Sequence, residues 1–199
     1  MLKESAVKPK IILASGSPRR KQLLAQVGIE CEIIVSNVDE TCTGPPAHRV
    51  AELSNRKAQA VKGLLQENYP HGYAIIAADT LVYVNNQVLE KPETPEAAYE
   101  MLSTLRGRAH TVYTGVTIIT NTGANTFVDS TQVYFRDFSD DEIHAYIATG
   151  EPFDKAGAYG VQDKGALLVY RVEGDYFTVV GLPVAKVAST LRDMGIEIW

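Results

Sequence analysis

The sequence has few cysteines and no excess of positive charge. Its cysteines, Cys31 and Cys42, show neither CxxC spacing nor a histidine placed for zinc, which argues against a zinc knuckle and indicates free thiols in a reducing compartment. The net charge of −5 argues against a nucleic-acid-binding protein, because a broad phosphate footprint needs a basic surface. Any phosphate binding is therefore expected to be local.

Long apolar runs are also missing. Near the N-terminus only residues 11–14 form an apolar run, which is too short for a signal-peptide core or a membrane span. Hydrophobic residues at 45% and charged residues at 22% are ordinary for a globular protein. We expect a cytoplasmic protein without membrane contact, and 199 residues are enough for one large domain or two small lobes.

Several catalytic motifs are absent. No GxxxxGK[ST] loop and no GxGxxG after the first strand occur, which argues against a P-loop or Rossmann nucleotide site. No GxSxG elbow occurs, and the 4 histidines are scattered, which argues against a Ser/His triad.

The periodicity predicts a mixed α/β or α+β fold. Strands are expected at KIILAS, ECEIIVSNVDE, YAIIAA, HTVYTGVTIIT and TFVDSTQVYFR, and over 167–172 and 176–180. Helices are expected to begin at Pro18 after an N-cap at Ser17, over 48–65, at Thr94-Pro95, after a Ser139/Glu142 capping box and near Pro183. Asn85-Asn86 suits a hairpin turn.

The first helix begins with Arg19, Arg20 and Lys21. Cations at a helix N-terminus are unfavourable by a few tenths to about 1 kcal/mol each. These three cations therefore need an explanation, and one is screening by solvent, above all for Lys21.

Two acidic positions are candidates for chemistry. Asp79-Thr80 follows AIIAA directly, and a carboxylate at the end of a buried strand faces the ligand cleft of an open α/β sheet. Glu40 lies in the loop after another strand, and with Asp79 it could hold magnesium, which favours carboxylates together with phosphate oxygens. The alternatives are that Asp79 caps a turn and that the acidic pair is solvated surface.

Lys57, Lys91 and Lys155 interrupt otherwise ordered segments. One interpretation is that they converge on a polyphosphate, which needs several positive charges. The other is that each is a surface lysine.

Several separated motifs resemble one family in order and spacing: LASGSPRRKQLL, VDE, AADT, LEKP, EPFDKAGAYGVQ and VVGLP. They occur in this order in the Maf (septum formation inhibitor) family of nucleoside triphosphate pyrophosphatases, which the chain resembles from about residue 11 to 191. The resemblance implies hydrolysis of a nucleoside triphosphate to its monophosphate and pyrophosphate with a divalent cation, Mg²⁺ or Mn²⁺. It also implies a single domain over 1–199, with a central mixed sheet flanked by helices, a cleft between two lobes as in ITPase-like proteins, and a homodimer.

SGSPRR together with DKAGAYGVQ resembles the family branch that acts on dTTP and UTP. The branch acting on 7-methyl-GTP usually has a tryptophan where Arg19 stands here. By this resemblance Asp79 is the proton acceptor, and Arg19, Thr80 and Gln162 set base preference. The alternatives are a 7-methyl-GTP pyrophosphatase and a non-catalytic regulator of septation, and modified pyrimidine nucleotides are a further substrate possibility.

The resulting hypothesis is attack of water on the α-phosphorus with loss of pyrophosphate. Asp79 accepts the proton or orients the water, and Glu40 helps to hold magnesium. The triphosphate is bound by Arg20, Lys57, Lys91 and Lys155. We expect it also to supply the negative charge that the sequence lacks beside Arg19 and Arg20. Gln162 both donates and accepts hydrogen bonds, which suits the carbonyl and imide edge of uracil or thymine.

Overall fold

The computed structural model describes residues 9–65 and 69–198. The strands are β1 (Lys10–Leu13), β2 (Glu32–Ile33), β3 (Tyr73–Val84), β4 (Gln87–Leu89), β5 (Ala109–Thr120), β6 (Ala124–Phe135) and β7 (Val169–Glu173). The helices are α1 (Pro18–Gln26), α2 (Pro46–Leu64), α3 (Pro95–Leu105), α4 (Asp140–Ile147), α5 (Tyr176–Val180) and α6 (Val184–Asp193). Short 3₁₀ helices span Glu151–Asp154, Ala156–Ala158 and Asp163–Leu168.

The strands form a 7-stranded mixed sheet in the order β2-β1-β3-β5-β6-β7, with β4 paired to β3. β1 runs parallel to β2 and β3, whereas the other pairs are antiparallel. The predicted mixed α/β class with a central mixed sheet flanked by helices is confirmed.

The side chains of β3 contribute to apolar clusters on both faces of the sheet, because successive residues of a strand point to opposite faces. Ile75 and Ala77 pack with Ala58 and Val61 of α2 on one face. On the other face, the first half of β3 packs against a cluster that includes residues of α1 and α6. Val82, near the end of β3, packs instead in a cluster with residues of α3 and α4. The helices therefore cover two ends of the sheet with separate apolar cores.

Several local predictions are confirmed. Asn85 and Asn86 adopt φ values of 50° and 61° between β3 and β4, as a two-residue hairpin turn requires. Ser139 and Glu142 form the capping box of α4, and Thr94 accepts a hydrogen bond from Ala97 N at the start of α3. Ser17 occupies the N-cap position of α1, but its side chain makes no cap hydrogen bond.

The strand predicted over residues 176–180 is wrong, because this segment is helix α5. Its β-branched residues favour a strand. Asp175, however, accepts a hydrogen bond from Phe177 N at the start, and Gly181 ends the helix with φ 116°. Capping at both ends therefore outweighs the propensity of the residues between them. The second strand is also shorter than predicted and spans only Glu32–Ile33, which pair with the last residues of β1.

Within residues 9–65 and 69–198, no helix has both the length and the apolar character needed to cross a membrane.

Candidate active site

A cleft of about 1020 Å³ opens beside the end of β1. Its walls include every site residue predicted from the sequence: Arg19, Arg20, Glu40, Lys57, Asp79, Thr80, Lys91, Lys155 and Gln162. These residues come from α1, the loop before α2, α2 itself, β3, the loop after β4 and the segment of 3₁₀ helices. The fold therefore gathers in one place residues that are up to 143 positions apart, from Arg19 to Gln162.

The cleft lies along an open stretch of the β3 edge. β1 pairs with residues 73–76 of β3, and β4 pairs with residues 82–84. Between them no strand of residues 9–65 and 69–198 pairs with β3 on that side, although β5 continues to pair on the other. Asp79 and Thr80 lie in this gap, in the middle of the strand rather than after it as predicted, because Gly115 and Thr114 of β5 pair with them.

Asp79 belongs to a group that we call the acidic cluster, formed by Glu40, Lys57 and Asp79. The Lys57 ammonium lies 2.7 Å from Asp79 Oδ1 and 3.0 Å from Glu40 Oε1. The side chains of Lys57 and Asp79 are only 12% and 13% exposed. With one cation between two carboxylates, these three side chains have one more negative than positive charge, and the Arg20 guanidinium nearby attracts both carboxylates.

Gly115 allows α2 to carry Lys57 to this position. It lies opposite Asp79 on β5, and a Cβ atom there would stand 2.3 Å from the carbonyl oxygen of Val50 in α2. Any larger residue would therefore push α2 away from the sheet. The helix and Asp79 share one face of the sheet, which brings the Lys57 side chain to the carboxylate.

The acidic cluster fits the expected divalent cation in the chemistry of its donors. Glu40 and Asp79 contact the same ammonium through Oε1 and Oδ1, and within residues 9–65 and 69–198 their other carboxylate oxygens have no hydrogen-bond partner, so those two oxygens are available to a cation. Carboxylates are the protein ligands that Mg²⁺ prefers. Among the residues that the structure describes, no group of three or more His, Cys, Asp or Glu side chains could hold a metal ion, so substrate and water would have to complete the coordination.

A second group, which we call the basic cluster, is formed by Arg19, Asp154 and Lys155. Asp154 accepts hydrogen bonds from Arg19 NH1 at 2.8 Å and from Lys155 Nζ at 2.6 Å. Burial alone would raise the pKa of Asp154, but the hydrogen bonds from Lys155 and Arg19 outweigh it and hold this pKa below its usual value. With one carboxylate between two cations, the cluster has an uncompensated positive charge.

Arg20 is held more firmly than Arg19. Its guanidinium donates from Nε to Gly181 O at 2.9 Å, from NH1 to Ser15 Oγ at 3.0 Å and from NH2 to Thr80 Oγ1 at 3.2 Å. Burial lowers the pKa of Arg20, and the Asp79 carboxylate opposes that shift. These three partners of Arg20 are neutral, whereas Arg19 already has the Asp154 carboxylate as a partner, so the free protein supplies a negative charge beside Arg19 that was expected from a nucleotide.

Most of the hydrogen-bonding capacity of the Thr80 hydroxyl is used by contacts within the protein. Thr114 donates its hydroxyl hydrogen to Thr178 O at 2.8 Å, so the 2.9 Å bond between Thr80 and Thr114 uses the hydrogen of Thr80. Thr80 also accepts from Arg20. Its oxygen can accept one further hydrogen bond but has no hydrogen left to donate.

Lys91 and Gln162 differ from the other predicted residues in having no side-chain partner within residues 9–65 and 69–198. Lys91 is exposed at the rim of the cleft, and Gln162 precedes the 3₁₀ helix Asp163–Leu168. Both side chains are therefore free to contact a ligand.

Arg49 and Glu90 line the cleft but were not predicted from the sequence. Arg49 NH2 lies 2.6 Å from Glu90 Oε1, and the Arg49 side chain is only 17% exposed. Glu90 O also accepts a hydrogen bond from Gly157 N at 3.0 Å, which ties the loop of Lys91 to the 3₁₀ segment. Only the eight-residue spacing between Arg49 and Lys57, which places both on one side of α2, could have indicated Arg49.

Comparisons with known proteins agree with these motifs. The family described as Maf-like protein matches residues 10–194. A protein of Geobacillus sp. (strain WCH70) named dTTP/UTP pyrophosphatase is 48% identical over 93% of this chain and 98% of its own. Another of that name, from Moorella thermoacetica, is 47% identical over 96% of this chain and 97% of its own. Among solved structures, the Staphylococcus aureus Ham1 protein aligns with a TM-score of 0.45 and 16% identity over 64% of this chain and 72% of its own.

Proposed function

Since the chain belongs to the Maf-like protein family, we propose that it is a pyrophosphatase that hydrolyses dTTP and UTP to the monophosphate and pyrophosphate. Its relatives with 47% and 48% identity are named for that activity. The observation that carries the proposal is the presence of the acidic and basic clusters in one cleft. A divalent cation bound with a nucleoside triphosphate would supply positive charge to the acidic cluster, and the phosphates would supply negative charge to the basic cluster.

The proposed reaction is an attack of water on the α-phosphorus. The water oxygen forms a bond to phosphorus, the bond from phosphorus to the oxygen bridging the α- and β-phosphates breaks, and pyrophosphate leaves with that oxygen. Asp79 orients the water and accepts its proton, and Lys57 fixes the Asp79 carboxylate in position. Fixed charges of this kind lower the barrier because they need no rearrangement during the reaction.

The cations of the cleft bind the substrate. Lys155 and Lys91 contact the phosphates that become the leaving group. Arg20 donates its remaining N–H groups to the substrate and stays attached to Gly181 O through Nε. Glu40 and Asp79 would hold the divalent cation, Mg²⁺ or Mn²⁺. When bound, that ion would neutralise phosphate oxygens and lower the pKa of a nearby water.

Base selection falls to residues with free hydrogen-bonding capacity. The Gln162 amide can donate to a carbonyl oxygen and accept from the imide N–H of uracil or thymine. Thr80 can contribute only an acceptor. Arg19 also lines the cleft, and we propose that its side chain disfavours a larger base. We further propose a cytoplasmic location, where the nucleotide pool lies, and a homodimer.

The experiment is a nucleotide panel with Mg²⁺. Purified protein is incubated separately with dTTP, UTP, CTP and 7-methyl-GTP, and pyrophosphate and orthophosphate are measured. We expect pyrophosphate from dTTP and UTP and little from the others. Faster hydrolysis of 7-methyl-GTP would overturn the substrate assignment, and release of orthophosphate alone would overturn the site of cleavage.

A further inference from the structure

The loop that carries Glu40 has few contacts of its own. Residues 35–44 contain no helix or strand. In the described part of the chain, Arg56 is the only residue outside the loop that donates hydrogen bonds to the backbone carbonyls of the loop. Within the loop, Thr41 N donates to the side-chain oxygen Oδ1 of Asp39 at 2.8 Å, and Cys42 Sγ lies 3.8 Å from Thr43 O. The position of Glu40 therefore depends on very few interactions.

Arg56 contacts the loop on both sides of Glu40. Its NH1 group donates to Thr41 O at 2.9 Å and to Asp39 O at 3.3 Å. Its Nε donates to Glu52 Oε1 one turn earlier on α2, at 2.8 Å, which fixes the direction of the guanidinium. Arg56 thus attaches the loop to α2 next to Lys57, the residue that contacts the Glu40 carboxylate.

We propose that Arg56 is a positioning residue, which holds the Glu40 carboxylate in the acidic cluster by anchoring the loop that bears it. This inference rests on the proposed function in one respect, since it assigns Glu40 a part in hydrolysis. The Glu40 side chain is 60% exposed, so its ion pair with Lys57 is a weak anchor by itself. Arg56 does not line the cleft and acts on the substrate only through Glu40.

The structure supplies a matched control. Arg136 has the same kind of environment, because it donates to Leu167 O at 2.6 Å, to Asp137 O at 3.0 Å and to Glu142 Oε1 at 2.6 Å. Neither Arg136 nor these partners line the cleft. Arg136→Ala therefore removes an equivalent set of hydrogen bonds without affecting Glu40.

The first test measures the free protein. Hydrogen exchange of the backbone amides in residues 35–44 is followed for the wild type, Arg56→Ala, Arg56→Lys and Arg136→Ala. We expect faster exchange in this loop for Arg56→Ala, partial recovery for Arg56→Lys and no change for Arg136→Ala. Unchanged exchange in Arg56→Ala would overturn the inference whatever the protein hydrolyses.

The second test is a double-mutant cycle with Glu40→Gln, read as kcat and KM for dTTP over a Mg²⁺ titration. Changes to groups that orient a metal ligand typically cost about 10- to 100-fold, so we expect Arg56→Ala to lower kcat/KM by at least about 10-fold. In the Glu40→Gln background the same change should cost less than about twofold, because the two residues act as one unit. An equal loss in both backgrounds would refute the inference. No hydrolysis by the wild type would instead refute the proposed function.

Discussion

The acidic and basic clusters of the cleft have opposite compositions. In the acidic cluster Lys57 lies between Glu40 and Asp79, whereas in the basic cluster Asp154 lies between Arg19 and Lys155. Each charged side chain of the two clusters has an ion-pair partner in the free protein. The acidic cluster nevertheless has one more negative than positive charge, and the basic cluster has one more positive than negative charge. The cleft is therefore polarised, with one part suited to a cation and another to phosphate oxygens.

The clusters also differ in how strongly water screens them. Lys57 and Asp79 are both largely shielded from solvent, but the Asp154 carboxylate is 59% exposed. An exposed ion pair contributes about 0–1 kcal/mol, so Arg19 and Lys155 can exchange Asp154 for phosphate at little cost. The shielded pair of Lys57 and Asp79 is harder to separate and keeps the Asp79 carboxylate in place.

The largest expected effect comes from the acidic cluster. Asp79→Asn removes the proposed proton acceptor but retains the size of the side chain, so we expect pyrophosphate release to fall by about 10²- to 10⁴-fold. Steady-state hydrolysis of dTTP measures this loss, with nucleotide binding by calorimetry and thermal unfolding as controls for the fold. Near-normal turnover in Asp79→Asn would remove this carboxylate from the mechanism.

Acidification should destabilise the fold through His110, which lies beside the cleft. His110 is buried, its Nε2 shares a 2.7 Å hydrogen bond with the hydroxyl of Tyr159, and Tyr159 lines the cleft. Burial lowers the pKa of His110 from 6.5 to about 4. Between these values only the unfolded chain binds the proton, so the free energy of unfolding should decrease as pH falls from 6.5 to 4, by about 3 kcal/mol in total.

Urea unfolding at a series of pH values measures this dependence. His110→Gln is expected to be less stable at neutral pH but to lose less stability on acidification. The same pH slope in the variant and the wild type would show that His110 is not the group responsible.

Removing a cation from the basic cluster should weaken substrate binding rather than chemistry. Lys155→Met keeps the aliphatic stem that packs on Gly160 but loses the ammonium. We expect KM for dTTP to rise about 10-fold with a much smaller change in kcat, since a hydrogen bond to a charged group contributes about 1.5–3 kcal/mol. Lys164→Met, at an exposed position outside the cleft, is the control and should leave KM unchanged. A fall in kcat alone would instead place Lys155 among the groups that act in the chemical step.

The smallest expected effect is a decrease in KM for dTTP rather than an increase. Asp154→Asn removes the carboxylate that competes with phosphate for Arg19 and Lys155, so KM should fall, by about two- to threefold. The thermal midpoint should change little, because the residue is exposed. An increase in KM would mean that Asp154 orients the two cations rather than competing for them.

The sequence predicted the residues of the cleft better than their contacts. Motifs with characteristic composition, such as SGSPRR and DKAGAYG, identified residues that the fold brings together. Turn and capping chemistry also predicted the hairpin at Asn85-Asn86 and the start of α4, because these signals are local. The α5 segment was mispredicted because its residues favour a strand and its caps determine the outcome.

Most polar contacts of the cleft could not be predicted, because they join residues far apart in the chain. Arg19 and Asp154 are 135 positions apart, and Arg20 and Gly181 are 161 apart. Arg49 belongs to none of the motifs identified in the sequence. Its ion pair with Glu90 depends on how α2 packs across the sheet at Gly115. Long-range packing of this kind follows from the whole fold rather than from any local pattern.

The most direct test of the proposed reaction is hydrolysis of dTTP in H₂¹⁸O with Mg²⁺, followed by mass spectrometry of both products. Attack of water on the α-phosphorus predicts ¹⁸O in the monophosphate and none in the pyrophosphate. Label in the pyrophosphate, with none in the monophosphate, would contradict it.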